Sequence, residues 1–258
     1  MILSRIYELS ENLLLKGGTC LNKVYYAYYR LNEDLDFSMI LPQYEATRDQ
    51  RRTYIQPVKD KIEKFTEQFG MKLDDAGNPG RNESKQYVFY FVYQSALREV
   101  EAKIKLEIGL RFNPFDTIKK RPVQHGFLHP FTGDPLFDGG QINCLSLNEL
   151  VAEKLRAGAI RKIIAPRDFY DIDFVLRNKF DLTNKEIITL FKKKLQENGA
   201  DTDLGKYKKN LGRSDEEIKG MNSRIETELF DVLAPAERKN FDLSTALGRI
   251  NKAIEAIS

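Results

Sequence analysis

The stretch from residue 13 to residue 40 constrains the fold more than any other part of the chain. Three leucines lead into Gly17 and Gly18, a segment compatible with a helix follows, and a second apolar run carries Asp34 and Asp36. This order predicts a strand, a tight turn, a helix and a strand that bears two acids.

The spacing of these residues suits phosphate chemistry. Side chains two positions apart on a strand share a face and lie roughly 6–7 Å apart, so Asp34 and Asp36 can bind the same metal ions. A helix over residues 19–30 would direct backbone N–H groups and the positive end of its dipole toward a phosphate above the glycine turn. The pattern therefore indicates metal-assisted phosphoryl or nucleotidyl transfer.

Composition is typical of a globular protein without a membrane partner. The hydrophobic fraction is 41% and the charged fraction is 31%, and no apolar run approaches the roughly 20 residues that cross a bilayer. The N-terminus also lacks a secretory signal pattern, so we expect a cytoplasmic protein. Cys20 and Cys144 lie far apart without CxxC spacing, which argues against a disulfide framework or a zinc site. The net charge of +3 does not by itself indicate a nucleic-acid partner.

Two groups of side chains after the glycine turn each have two interpretations. Tyr25, Tyr26, Tyr28 and Tyr29 predict packing against the sheet with hydroxyls in water, and base stacking is the alternative. The helical and basic pattern over residues 43–69 is typical of a solvated face, and a nucleic-acid or partner surface is the alternative.

Two strands are predicted over residues 86–94 and 102–112, and they form a hairpin. The second strand alternates between apolar residues and charged residues that include Lys105 and Glu107, so Glu107 lies on a polar face. If this strand adjoins the strand of Asp34, Glu107 becomes the third carboxylate of a metal site. If it does not, Glu107 is a solvent-facing acid.

The domain organisation follows from a change of pattern near residue 143. Residues 113–143 are rich in Pro, Gly, Asp and His, and they predict an irregular connection with one short strand. The remainder is helical. We therefore expect an α+β protein with a mixed β-sheet domain and flanking helices over residues 1–143, followed by a helical domain over residues 144–258.

The helix predicted over residues 147–162 places Lys154 in the middle of an apolar stripe. One interpretation is that the lysine stem passes the edge of the core and its ammonium reaches water. The other is that the ammonium emerges beside the sheet and binds a triphosphate. Asp168, near the start of the next helix, also faces inward, but an acid in a first turn is explained as well by the helix dipole.

Two further groups of charges receive structural explanations. Ser146 and Glu149 have the S-x-x-E form of a capping box, which explains Glu149 better than chemistry does. The basic run at residues 192–194 is typical of a solvated face. A second capping box at Ser214 predicts a helix that extends to about Leu233.

In this order the motifs resemble the AbiEii family of nucleotidyltransferase-like toxins. The resemblance covers about residues 13–176. It rests, in chain order, on Lys16-Gly17-Gly18-Thr19, Glu33-Asp34-Leu35-Asp36, a later acid on a strand, Glu149-x4-Lys154-x2-Ala157 and Arg167-Asp168-x2-Asp171. The glycine pair and the Asp-x-Asp motif alone would indicate only the broader DNA polymerase β-like superfamily. Ala165 departs from the family, which often has a basic residue there, and Arg161 or Arg167 would have to substitute.

The resemblance implies a nucleotidyltransferase-like catalytic domain that uses an NTP and Mg²⁺, with Mn²⁺ as a second candidate ion. Gly17, Gly18 and Thr19 would contact the nucleotide phosphates. The metal-binding acids would be Asp34, Asp36 and Glu107. The helical domain would contribute Lys154 and Asp168 to the cleft, where both would be required for activity and Lys154 would also contact the nucleotide.

The same resemblance implies the toxin of a toxin–antitoxin or abortive-infection system, with a cognate antitoxin as a partner. Some members transfer nucleotides to tRNA, so an RNA acceptor is expected. Two alternatives stay open: transfer of the nucleotide to a protein side chain, and an inactive fold that only binds a nucleotide or a partner.

Overall fold

The computed structural model describes residues 2–27, 29–32, 34–43, 45–74, 77–95, 100–163 and 165–257, without the side chains of residues 209–212. The chain divides into two compact units. Met1–Tyr28 and Asn32–Leu145 form the first, which we call the sheet unit. Tyr29–Leu31 and Ser146–Ser258 form the second, which we call the helical unit.

The sheet unit contains one mixed β-sheet. Its strands are β1 (Leu13–Leu15), β2 (Asp34–Met39), β3 (Lys72–Leu73), β4 (Gly80–Arg81), β5 (Gln86–Gln94), β6 (Glu101–Gly109), β7 (Lys119–Pro122) and β8 (Gln141–Cys144). They lie in the order β3-β5-β6-β2-β1-β8-β7, and β4 pairs with β5. Strand β1 is antiparallel to β2 and parallel to β8, whereas β2 is parallel to β6. The predicted mixed sheet is confirmed.

Strands β2 and β6 follow the predicted alternation. In β2 the side chains of Leu35 and Phe37 are buried, and the acids between them are partly exposed. In β6, Leu106 and Ile108 are buried while Glu107 is partly exposed. Strands β5 and β6 pair as the predicted antiparallel hairpin. The period of two on a strand was therefore sufficient to separate the core face from the polar face.

The helix after the glycine turn is shorter than predicted. Helix α2 (Gly17–Cys20) continues as a π-helical segment (Leu21–Tyr25) and ends there, not near residue 30. The chain next enters the helical unit, where Leu31 N–H donates to Val232 O at 2.7 Å. A pairing with residues far along the chain thus competes with the helix, and periodicity within the segment contains no information about it.

The other helices of the sheet unit are α1 (Ile2–Arg5), a 3₁₀ turn (Ile6–Glu8) and α3 (Arg48–Glu67). Thr47 begins α3 with a complete capping box to Gln50. The apolar side of α3 is buried through Ile55, Ile62 and Phe65, and most of its basic side chains stay outside this core. Arg51 is the exception, because its guanidinium donates to the carbonyls of Ala46 and Glu83.

The connection over residues 113–143 holds more structure than predicted. It contributes two strands to the sheet, β7 and β8, in place of one. Strand β8 joins the sheet beside β1, with Cys144 opposite Leu15, and β7 pairs with β8. Each strand has only four residues, which is too short for an alternating pattern to be recognised in the sequence. Their strand conformation depends on pairing with other segments of the sheet.

The helical unit consists of α4 (Leu147–Ile160), α5 (Pro166–Arg177), α6 (Lys185–Glu197), α7 (Leu204–Gly212), α8 (Asp215–Asn222), α9 (Ile225–Glu228), a 3₁₀ turn (Phe230–Val232), α10 (Pro235–Asn240) and α11 (Leu243–Glu255). Helix α4 packs against α5 and α6, and α11 packs against α5 and α7. The Ser214 capping box is present, but its helix ends at Asn222, because Asn222 and Ser223 favour a turn. Among the helices that the structure describes, none is both long and apolar enough to cross a membrane.

Candidate active site

The register of β2 and β6 brings the predicted acids together. Asp36 lies opposite Glu107, and Asp34 lies opposite Lys105. The strand of Glu107 therefore adjoins the strand of Asp34, which is the condition under which Glu107 could join the two aspartates at a metal site. All four side chains are partly exposed on the polar face of the sheet.

The glycine turn packs directly on this face. Gly17 has a φ of +68°, and a Cβ at this position would lie 2.7 Å from Asp36 Oδ2. A side chain is excluded by both the backbone conformation and the space. Lys16 N–H donates to the backbone oxygen of Asp36 at 2.9 Å, and the Thr19 hydroxyl donates to the backbone oxygen of Asp34 at 2.5 Å. The turn is thus attached to the strand at both acids.

The position of Thr19 refines its predicted contact with phosphate. The side chain is only 2% exposed, and its hydroxyl proton is committed to Asp34 O. The first N–H groups of a helix have no acceptor within the helix. The backbone of the turn, and not the Thr19 hydroxyl, is therefore the better donor to a phosphate.

Lysines offset part of the negative charge on this face. Lys105 Nζ lies 3.0 Å from Glu107 Oε2. Burial raises the pKa of Asp36, the positive charge of Lys16 opposes this, and the negative charges of Glu107 and Asp34 add to it. Burial and two neighbouring acids thus disfavour the ionised form of Asp36, and a bound cation would stabilise it.

The donor set fits a hard divalent ion with two protein ligands. Mg²⁺ is usually bound through one or two carboxylates together with water and substrate phosphates. Asp34 and Asp36 supply such a pair. Across the described residues, no three acidic, histidine or cysteine side chains converge to form a metal site by themselves. Glu107 is instead held by Lys105, so its predicted part as a third ligand has less support than the aspartate pair.

Lys154, in the helical unit, does not extend its ammonium past the core to water. Its side chain is 14% exposed, and Nζ lies 2.7 Å from Asp168 Oδ1 and 2.8 Å from Asp171 Oδ2. Burial by itself disfavours the ammonium, but the two carboxylates overcome this and raise the pKa of Lys154. The buried lysine is therefore a charged group held by two acids of α5.

Asp168 faces inward and binds two cations. It is 4% exposed, and its second oxygen lies 2.5 Å from Arg161 Nη1. Arg161 thus supplies the positive charge that Ala165 does not provide, whereas Arg167 is only partly buried nearby. This pairing explains Asp168 better than the helix dipole does, because both carboxylate oxygens have cationic partners.

The predicted capping box is correct for the side chain of Ser146 but wrong for the carboxylate of Glu149. Ser146 Oγ accepts the Glu149 N–H at 3.1 Å, so the N-cap is present. The Glu149 carboxylate, however, is fully buried and lies 2.6 Å from Lys194 Nζ. The prediction of a solvated basic run therefore fails at Lys194, which also lies near Glu153 and Glu197. Because α6 buries every third or fourth side chain against α4, position 194 falls on its inner face.

The tyrosines after the glycine turn differ from the prediction in two respects. Tyr29 stacks on Phe174 of the helical unit and not on the sheet, and two tyrosine hydroxyls bind protein groups in place of water. Tyr25 donates to Leu145 O at 2.8 Å, and Tyr29 donates to Asp171 Oδ1 at 2.8 Å. Tyr29 is buried, which leaves its ring unavailable for base stacking. The prediction for Tyr28 lies outside the described residues.

Sequence reasoning named Lys105 and Asp171 but assigned neither a role in the site, and it did not identify Arg30 as a neighbour. Lys105 had a usable signal, since it lies two positions before Glu107 on the same strand face. The sequence signal for Asp171 is weaker: it lies one helical turn after Asp168. No sequence signal points to Arg30, because its partner Asp171 lies 141 residues away.

The family can be assigned once this geometry is known. The family model described as "Nucleotidyl transferase AbiEii toxin, Type IV TA system" matches residues 2–247. The chain belongs to the AbiEii family. The family that the motifs predicted is thereby confirmed, and the AbiEii chain is a nucleotidyltransferase of a toxin family, which implies an NTP substrate and an antitoxin. No curated protein sequence matches it.

Solved structures support the AbiEii fold. MenT4, a nucleotidyltransferase toxin from Mycobacterium tuberculosis H37Rv, is 16% identical with a TM-score of 0.62, and the match covers 99% of this chain and 80% of MenT4. JHP933 from Helicobacter pylori is 16% identical with a TM-score of 0.52, over 98% of this chain and 86% of that one. At such identities the similarity concerns the fold, and it confirms the predicted α+β class.

Proposed function

We propose that this AbiEii protein is a Mg²⁺-dependent toxin that transfers a nucleotide from an NTP to an RNA acceptor such as tRNA in the cytoplasm. The observation that carries the proposal is the close packing of the glycine turn on Asp36, with Glu107 on the adjoining strand. A glycine turn that can bind phosphate, packed directly on a pair of acids, is suited to phosphate transfer. A module that only binds a nucleotide has little use for two carboxylates beside the phosphates.

The residues of the sheet unit have distinct roles in this proposal. Asp34 and Asp36 bind Mg²⁺, with Mn²⁺ as a substitute, and the bound ion supplies positive charge that neutralises the triphosphate. The backbone of the turn at Gly17 and Gly18 donates to the phosphates. Glu107 accepts the proton of the attacking hydroxyl or completes the metal ligands.

In the helical unit, Lys154 neutralises phosphate charge and Asp168 positions it. An ammonium has three N–H donors, and Asp168 and Asp171 account for two of them. The third can donate to a phosphate oxygen. These roles come from the family resemblance and agree with the contacts of Lys154.

The test is incubation of the purified protein with Mg²⁺, each labelled NTP in turn and total tRNA. We expect labelled RNA with the wild type and none with Asp36→Ala. Asp49→Ala is the matched control, since Asp49 is an acid of the same unit whose side chain is 91% exposed. Label that survives Asp36→Ala would contradict the metal assignment.

The same assay separates the alternatives. Label in protein in place of RNA would refute the RNA acceptor and leave nucleotide transfer intact. Absence of Mg²⁺-dependent turnover with all four NTPs and with both RNA and protein present would favour an inactive binding module.

A further inference from the structure

Asp171 is a buried carboxylate that enters the proposed function only as one partner of the Lys154 ammonium. It lies on α5 and is 0% exposed. Its Oδ1 accepts hydrogen bonds from Arg30 Nε at 2.7 Å and from the Tyr29 hydroxyl at 2.8 Å. Its Oδ2 accepts one from Arg30 Nη2 at 2.8 Å and lies 2.8 Å from Lys154 Nζ. Both oxygens therefore have two donors each.

The two residues that hold Asp171 are themselves fixed. The Arg30 side chain is 2% exposed, and the Arg30 backbone forms an antiparallel bridge with Leu233. The Tyr29 ring stacks on Phe174 with centroids 4.2 Å apart. A planar guanidinium that donates to both oxygens holds a carboxylate in one orientation. Asp171 cannot rotate without breaking several buried contacts.

Lys154 is the fourth donor to Asp171, and its direction depends on α5. Asp168 and Asp171 lie three positions apart, so both carboxylates lie on one face of that helix. They approach the ammonium at 2.7 Å and 2.8 Å. Because two N–H groups of the ammonium point at these acids, the direction of its third N–H is set.

The two acids differ in how firmly they are held. Asp168 is also bound by Arg161, whose side chain is 48% exposed, whereas the arginine on Asp171 is almost fully buried. Water screens an exposed ion pair and competes for its partners. Asp171 is therefore the more rigid of the two supports of Lys154.

We propose that Asp171, held by Arg30 and Tyr29, is a positioning residue that directs Lys154 during nucleotide transfer, a role that rests on the function proposed above. Its charge also keeps the ammonium protonated. Burial alone would raise the pKa of Asp171, but Arg30 and Lys154 hold it well below its usual range, so the carboxylate stays ionised.

Asp171→Asn and Asp173→Asn form a matched pair of variants. Asp173 is also buried on α5, but its carboxylate binds Arg177 at 2.9 Å and Arg249 in place of Lys154. Each substitution preserves the size of the side chain and removes one buried charge that faces an arginine. Both are therefore destabilising for the same physical reason.

Nucleotide transfer would be followed in single turnovers from about pH 7 to about pH 9.5, at several NTP concentrations and at equal concentrations of folded protein. We expect Asp171→Asn to lower the maximal rate about 10- to 100-fold, with less than about a threefold change in the KM for NTP, because a misdirected donor acts on the transition state. Wild-type Lys154 should stay protonated throughout this range, because its pKa is raised. In Asp171→Asn the ammonium loses one stabilising charge, so a fall in rate at the alkaline end should enter the range. Asp173→Asn should change neither the maximal rate nor the pH profile.

Equal losses of rate in the two variants, or the same pH profile for Asp171→Asn as for the wild type, would overturn the positioning role. Tyr29→Phe provides a second test that keeps every charge. It removes one hydrogen bond to Asp171, and we expect a roughly two- to fivefold lower rate. An unchanged rate would also overturn the proposal.

The positioning role and the proposed function can fail separately. No transfer by the wild type, or full activity of Lys154→Ala, would contradict the proposed function. Titration of the Lys154 side chain by NMR still tests the effect of Asp171, because it needs no activity. A lower pKa of Lys154 in Asp171→Asn than in Asp173→Asn supports the proposal, and equal values oppose it.

Discussion

Substitution of Gly17 by alanine tests whether the glycine turn positions Asp36. A Cβ at Gly17 would lie 2.7 Å from Asp36 Oδ2, and ordinary contact begins at 3.4 Å. The carboxylate must therefore move by about 0.7 Å, since atoms this close repel strongly. Oδ2 is the end of a rotatable side chain, so we expect the carboxylate to move and the turn to persist.

Gly70→Ala is the matched control. Gly70 has a φ of +67°, almost the same as the +68° of Gly17, and no atom lies within 4 Å of the position that a Cβ would occupy there. Alanine in the left-handed region costs roughly 1–2 kcal/mol at either site. Both variants should therefore lose a similar free energy of unfolding, but only Gly17→Ala displaces Asp36.

Urea unfolding and single-turnover nucleotide transfer would be measured for both variants. A shift approaching 1 Å at a catalytic group costs on the order of 100-fold in rate, so we expect Gly17→Ala to lower kcat/KM roughly 10- to 100-fold at equal concentrations of folded protein. Gly70→Ala should keep the wild-type kcat/KM. The reasoning is refuted if both variants show the same activity per folded molecule.

Three further predictions concern stability. Thr19→Val removes the hydroxyl bond to Asp34 O, so the urea midpoint should fall by an amount equal to about 1–2 kcal/mol, and Thr19→Ser should restore it. Burial raises the pKa of Glu197 to about 7 from an ordinary 4.5, so the folded protein retains a proton that the unfolded chain releases. Stability should therefore decrease as pH rises from 4.5 to 7, and Glu197→Gln should remove this part of the slope in urea unfolding at several pH values. Lys194→Met leaves Glu149 buried without its cation and should cost about 3–5 kcal/mol, and addition of Glu149→Gln should recover much of the loss in thermal melts.

Those parts of the site that lie within one element could be predicted from the sequence. A strand has a period of two, so the spacing of Asp34 and Asp36 placed both acids on one polar face. The glycine pair predicted a tight turn, and the structure adds the close approach to Asp36 that requires glycine at Gly17. The apolar stripe showed that Lys154 lies on the inner side of α4, but neither interpretation of the lysine included the carboxylates that hold its ammonium.

The partners of these residues depend on the tertiary structure. Asp36 and Glu107 lie opposite each other only because β2 and β6 pair in parallel, and no local pattern specifies which strands pair. Arg30 and Asp171 are 141 residues apart, and Lys194 is buried because α6 packs on α4. A local period reports which side of an element faces the core. It contains no information about which charge lies opposite that side, because that depends on packing between distant segments.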